Sequence, residues 1–430
     1  MLNMVNRDLS FYHKMFRRVG KISGRLFLIP NIENIGNSIE DYYFGLLTAL
    51  NAGIKLVIIE PIQLKNSKFK KNVDFSYLRM VNDSKLKTIY QYEWLNIIVS
   101  LLYFIVNMFI GSENSQKVFI KFFKLNLNDH YLTPSVGQEL IYNPLRFNKL
   151  TQEGVIETKK FYSRVLPKIG FNSEDEKINL NILRNFGIED KDYFVAIHIR
   201  DSKFKQDFSN PRNCNPENYK LSINYILESG GFVIILGDSP YDFNIKHKNF
   251  IEYNKALFKN SLLDAFIISR SRFFISTASG LFDMSLLFDT PVLHTNNVSI
   301  YETRPLKPVD RLMYKKIFSK RMQRNLNIRE FVNLRLDPDV VSEDENYSFE
   351  ENSANELLLA TREMMNPSSV QIDWTKQSML KGMIKENNYV QKGRTSSSER
   401  PLDKLNYYRF LVRHEMSDCL IASDYLSSNW

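Results

Sequence analysis

Cysteine is nearly missing from this 430-residue chain: only Cys214 and Cys419 occur. Two thiols exclude a disulfide framework, and without a CxxC pair or a Cys/His cluster the sequence offers no zinc site of familiar spacing. A reducing compartment is the expectation. The opening residues lack the continuous apolar stretch of a secretory signal. Residues 1–23 read instead as a short basic amphipathic helix, with Leu9, Tyr12, Met15 and Phe16 at helical spacing and Arg7, Lys14, Arg17, Arg18 and Lys21 set against Asp8. Repeats and long low-complexity tracts are also missing. One uncharged apolar stretch, residues 95–111 (LNIIVSLLYFIVNMFIG), falls short of the roughly 20 residues a bilayer core requires. Asn96, Ser100, Tyr103 and Asn107 give it a weak polar stripe, which leaves a buried helix or a membrane-interfacial helix open. Basic residues are not interleaved on a recognisable nucleic-acid motif, so no nucleic-acid partner is expected.

What is present is an apolar fraction of 43%, ordinary for a protein with a real interior, and a length that accommodates two cores. The formal charge of +9 suits an acidic partner without choosing among nucleotide phosphates, anionic lipid and a plain solvated face.

A strand at 25–30, an Asn- and Gly-rich loop, a helix over about 38–51 capped by Asn37 or Ser38, and a strand at 55–60 form a strand–loop–helix–strand opening. Residues 62–190 give no clear order. From residue 193 the pattern is regular: strands at 193–199, 232–237, 250–254, 273–277 and 290–296, with helices at 215–231, 261–270 and 279–288. Asn215, Pro216 and Gly230 punctuate the first of these helices, and Asn260 or Ser261 caps the second. Such alternation predicts an α/β fold with a second, doubly wound parallel sheet. After residue 335 the chain turns acidic and polar, then helical from Ala354 to Met365.

Parallel sheets bind ligands beyond the carboxyl ends of their strands, so the polar residues there carry the functional argument. His198 and Arg200 close the 193–199 strand, followed by Asp201; a guanidinium at that point suits a diphosphate, and an Arg200–Asp201 salt bridge is the structural alternative. Gly237 and Asp238 follow the next strand, where glycine admits a close ligand and the aspartate can orient Arg200 or a ribose, or where the pair simply makes a turn. Ser276, Thr277, Ser279 and Gly280 lead into a helix, offering hydroxyls and amides to a phosphate or serving as a plain cap. Glu252 and Asp264 are carboxylates suited to ribose hydroxyls, with a dipole-favoured helix start the alternative for Asp264.

Five elements in order, AIHIRDS, PRNCNPENY with Arg212, Asn213 and Tyr219, ESGGFVIILGD, NSLLDAFIISRSRFFISTASGL, and the pair Asn296–Asn297 after TPVLHT, resemble a family of bacterial surface-polysaccharide and capsule glycosyltransferases over about residues 193–318. More remotely, HIRDS and the early NIGNSIEDYYFGLLTALNAG are similar to motifs of the fucosyltransferase superfamily, although the glycine usually found before the motif's aspartate is absent.

The resemblance implies a GT-B-like architecture. An acceptor-side Rossmann-like domain (24–185) would be joined to a nucleotide-sugar domain (186–335), with a helical extension (336–430) packing back on the first. It implies a nucleotide-diphosphate sugar as co-substrate, no obligatory metal, a glycan or lipid-linked acceptor, and a cytoplasmic protein at the inner face of the membrane. Arg200 would contact the donor diphosphate, with Arg212 and Asn296 among the binding residues, and Gly36 and Asn37 would face the cleft. Asp41, Glu40 and His198 are the nominees for acceptor base. Polysaccharide pyruvyltransfer and non-catalytic nucleotide-sugar binding are the rival functions; the former normally carries an Arg-Leu-His motif where this chain has Arg270-Ser271-Arg272.

Overall fold

The structure is a computed structural model describing residues 25–28, 35–52, 55–58, 76–82, 89–91, 130–132, 169–202, 209–239, 241–300, 307–334, 341–342, 344–386, 390–392, 399–401 and 417–430. The expected basic amphipathic helix at 1–23 and the expected core or membrane-interfacial helix at 95–111 lie outside the described residues. Among the described residues no helix is long and apolar enough to cross a membrane. The chain divides into two compact units, Met1–Ser173 and Glu174–Trp430.

In the first unit, β1 (Arg25–Leu28), β2 (Lys55–Ile58), β3 (Ile89–Gln91) and β4 (His130–Leu132) form a wholly parallel sheet ordered β3-β2-β1-β4. Helix α1 (Ile35–Ala52) crosses between β1 and β2. Its buried stripe, Ile39, Tyr42, Tyr43, Leu46 and Leu50, has the spacing of a helix laid on a sheet. The helix begins at Ile35, three residues before the expected start. Ser38 is therefore not its cap; its buried hydroxyl shares a 2.7 Å hydrogen bond with the Tyr77 hydroxyl.

The second unit holds the larger sheet. Helix α2 (Ser173–Asn185) leads to β5 (Phe194–His198), then α3 (Lys220–Glu228), β6 (Phe232–Ile235) and β7 (Phe250–Ile251). Helix α4 (Ser261–Arg270), β8 (Phe274–Ser276), the short α5 (Gly280–Met284), β9 (Val292–Asn297) and β10 (Arg311–Tyr314) follow. The helical extension expected after residue 335 falls within the second unit: α6 (Ala354–Met365) packs on α3 and α8 (Ser423–Ser428) packs on α6, with α7 (Trp374–Glu386) and β11 (Leu420–Ile421) between them in the chain.

All seven strands of this sheet run parallel, ordered β7-β6-β5-β8-β9-β10-β11. Both sheets thus have the Rossmann-like arrangement in which the order reverses beside the first strand of the sheet. Local chemistry explains the element ends. Asn215 accepts from the Glu217 amide ahead of Pro216, Asn260 accepts from the Leu263 amide to cap α4, and Gly230, at φ +83°, turns the chain out of α3. Ser353 and Glu356 form a capping box at α6.

Candidate functional site

In the second sheet the order reverses between β5 and β8, and there three neighbouring strands end level. Register pairs His198 with Ser276 and Ile197 with both Ile275 and Ile235. The side chains that follow these strand ends share one rim of the sheet, at the point where this topology forms a crevice.

Arg200 is held there from several directions. Its amide donates to the Thr277 hydroxyl at 2.9 Å, its carbonyl accepts from the Cys214 amide at 2.8 Å, and its Nε donates to the Asn213 side-chain oxygen at 3.2 Å. Only 9% of Arg200 is exposed, so its guanidinium is aimed rather than swinging in solvent. Two strand-end turns are joined by His198, whose Nδ1 lies 2.9 Å from the Ser279 hydroxyl. On its other side the ring abuts Gly237: a Cβ there would meet the ring's Cδ2 at 2.6 Å and its Nε2 at 2.8 Å, and Gly237 holds φ at +94°. Glycine is required at 237 on both counts. Burial, with Arg200 adding to it, pushes the His198 imidazole down to about 4 despite the nearby Asp238 and Asp201 carboxylates. The ring is neutral at neutral pH, with one nitrogen engaged and the other pressed to backbone. Such a histidine is a poor acceptor base, and the nomination of His198 to that role is corrected on this ground.

The remaining predicted residues sort themselves by what they touch. Ser279 has the extended backbone of a helix-cap residue, yet its hydroxyl goes to His198 and makes no cap bond. Gly280 opens α5, which is only five residues long, so the helix dipole there is small. Ser276 is the last residue of β8 and fully buried, with its hydroxyl turned to the Thr277 carbonyl; Thr277, equally buried, accepts from the Arg200 amide. Asp201 is buried and accepts from the Ser239 hydroxyl. Asp238 pairs with Lys259 at 2.8 Å, and the same ammonium bonds the carbonyls of Gly237 and Asn254, pinning the turn after β6.

Arg212 sits in the loop beside Arg200, with its Nε on the Asn210 side chain. Glu252 follows β7 and pairs with Lys255 at 2.7 Å. Asp264 is half-buried in the first turn of α4. Asn296 needs correction as a ligand residue. It is 0% exposed, adopts φ +54°, exchanges two bonds with Asn352 and donates to the Tyr219 hydroxyl, so it is a structural knot behind the site. Gly36 and Asn37 are not in a loop but in the first turn of α1, and Asp41 lies one turn further along that helix, all in the first unit.

Sequence reasoning passed over Lys259, Ser239, Lys315 and Glu351. Their partners are distant in sequence, and only the fold brings them together.

No protein-family model matches the sequence, and no curated protein matches it. Solved structures to which the chain is similar include a glycosyl transferase family 9 protein from Veillonella parvula, 11% identical, covering 67% of this chain and 82% of that one with a TM-score of 0.37. Another is the E. coli heptosyltransferase WaaC with ADP-2-deoxy-2-fluoro heptose, at 12% identity, 67% and 92% coverage and a TM-score of 0.36. E. coli ADP-heptose lps heptosyltransferase II stands at 9%, 66%, 86% and 0.37.

Proposed function

We propose that this chain is a glycosyltransferase that takes a nucleoside-diphosphate sugar as donor and a surface-glycan or lipid-linked acceptor, working at the cytoplasmic face of the membrane. One observation carries the reading: a buried, oriented arginine and two hydroxyl-bearing turns meet where the order of a parallel sheet reverses. Glycosyl transfer passes through an oxocarbenium-like transition state and leaves a diphosphate. Arg200 meets the growing negative charge on that leaving group, with Thr277 and the Ser279–Gly280 turn beside it. The order of the HIRDS, ILGD and STASG elements along the chain supports the same reading.

In this proposal the diphosphate charge is met by side chains and amides, so transfer persists in a chelator. Asp41 and Glu40 are the remaining nominees for acceptor base now that His198 is set aside. The pyruvyltransfer alternative draws no support, because Arg270 and Arg272 precede β8 and so lie at the strand's opposite end. Arg270 pairs with Glu176, and Arg272 donates to the Met365 carbonyl.

Thermal-shift and calorimetric titration with nucleoside diphosphates, followed by transfer assays with the matching sugars, test the proposal. Arg200→Ala is expected to lower transfer by about 100-fold or more while circular dichroism stays unchanged. Undiminished turnover in that variant removes Arg200 from the mechanism; donor binding without transfer to any acceptor identifies a sensor instead.

A further inference from the structure

The side chain of Lys315, directly after β10, is only 5% exposed. A buried ammonium is costly unless it is paired and hydrogen-bonded, and Lys315 is both. Its Nζ donates to the Asn213 carbonyl at 2.6 Å and stands 3.8 Å from a Glu351 oxygen. The other oxygen of Glu351 accepts from the Asn215 amide at 2.8 Å and from the Asn218 side chain at 3.1 Å. Two opposite charges therefore grip one short loop at Asn213, Asn215 and Asn218. The Asn213 carboxamide is the group that accepts from Arg200 Nε, and the next amide, of Cys214, is bonded to the Arg200 carbonyl.

Glu351 is itself fixed from behind. Its neighbour Asn352 exchanges hydrogen bonds with Asn296, and the Lys315 amide donates to the Asn297 carbonyl at 2.8 Å. Removing charge here would not open the apolar core; it would release the loop that sets the arginine's direction.

We propose that Lys315 and Glu351 are positioning residues that act on Arg200 through Asn213. The inference rests on the diphosphate reading above and deepens it, because an arginine that must meet two phosphate groups with a planar fork depends on orientation as much as on charge.

The test has two readouts on the full chain. The first is the Arg200 Nε–H signal in nitrogen-15 NMR spectra, identified by its loss in Arg200→Lys and followed by hydrogen exchange without ligand. In Glu351→Gln and Lys315→Met this proton is expected to exchange about tenfold faster. Glutamine retains an acceptor for Asn215 and Asn218, so Glu351→Gln keeps the fold if Lys315→Met does not. The second is affinity for inorganic pyrophosphate and for a panel of nucleoside diphosphates, expected to weaken about tenfold in the same variants. Unchanged exchange overturns the proposal, and so does faster exchange with undiminished affinity. If wild-type protein binds none of these probes, the diphosphate reading itself falls; the exchange comparison, made without ligand, tells that failure apart.

Discussion

At the scale of single residues, the contact of His198 with Gly237 and Ser279 makes the clearest demands. Because the imidazole is held down to about 4, below its ordinary value of 6.5, the folded state favours the neutral ring. Its contribution to stability is complete above pH 6.5 and declines as the pH falls toward 4, where the unfolded chain binds the proton that the fold resists. The His198 ring protons should accordingly show an NMR titration midpoint near 4. A midpoint at the ordinary value would contradict this packing. Gly237→Ala faces both the ring and a left-handed backbone, and is expected to cost about 1–3 kcal/mol in urea unfolding and to weaken diphosphate binding. His198 and Arg200 were legible because chemistry-bearing residues at the end of an apolar strand stand out in any sequence. Lys315 and Glu351 were not legible at all, since nothing local links either to Arg200.

At the scale of elements, five of the seven strands of the second sheet stood out by their apolar runs, and α4 by its cap, whereas β10 and β11 did not stand out and the helices expected at 215–231 and 279–288 are shorter, at Lys220–Glu228 and Gly280–Met284. Asn215, Pro216, Gly230 and Asn260 do what their types favour. Strand order was not legible, because parallel strands are joined by crossovers whose partners no local pattern names. The start of α1 was missed because the Asn- and Gly-rich stretch looks like a loop, whereas Ile35, Gly36 and Asn37 form the first turn of the helix. The end of β9 carries its own prediction. Asn296 combines a left-handed backbone with buried bonds to Asn352 and Tyr219, so Asn296→Ala is expected to destabilise by about 2–3 kcal/mol. Asn296→Gly, which keeps the backbone freedom and loses only the bonds, should cost less. Equal losses in chemical denaturation would mean that the backbone conformation contributes nothing.

At the scale of the whole molecule, the segment after residue 335 belongs structurally to the second unit, and one buried ion pair shows how it is held. Arg311 of β10 and Glu363 of α6 are in contact, with side chains 5% and 2% exposed, and Glu363 also accepts from the Ser423 amide and hydroxyl at the start of α8. Removing one partner strands the other charge, so Glu363→Ala is expected to cost about 3–5 kcal/mol in urea unfolding. The double variant Arg311→Met/Glu363→Leu should recover most of that loss. Failure to recover would assign the cost to the bonds with Ser423 rather than to the stranded arginine.

The pairing of Leu312 with Ile421 sets an order of events during synthesis. Six strands can assemble as soon as residue 314 has left the ribosome, yet the seventh emerges much later. In the interval β10 is an open border, free to recruit a strand from another nascent chain. Codon-level slowing between these two strands would prolong that hazard, and early capture of residues 417–421 would end it.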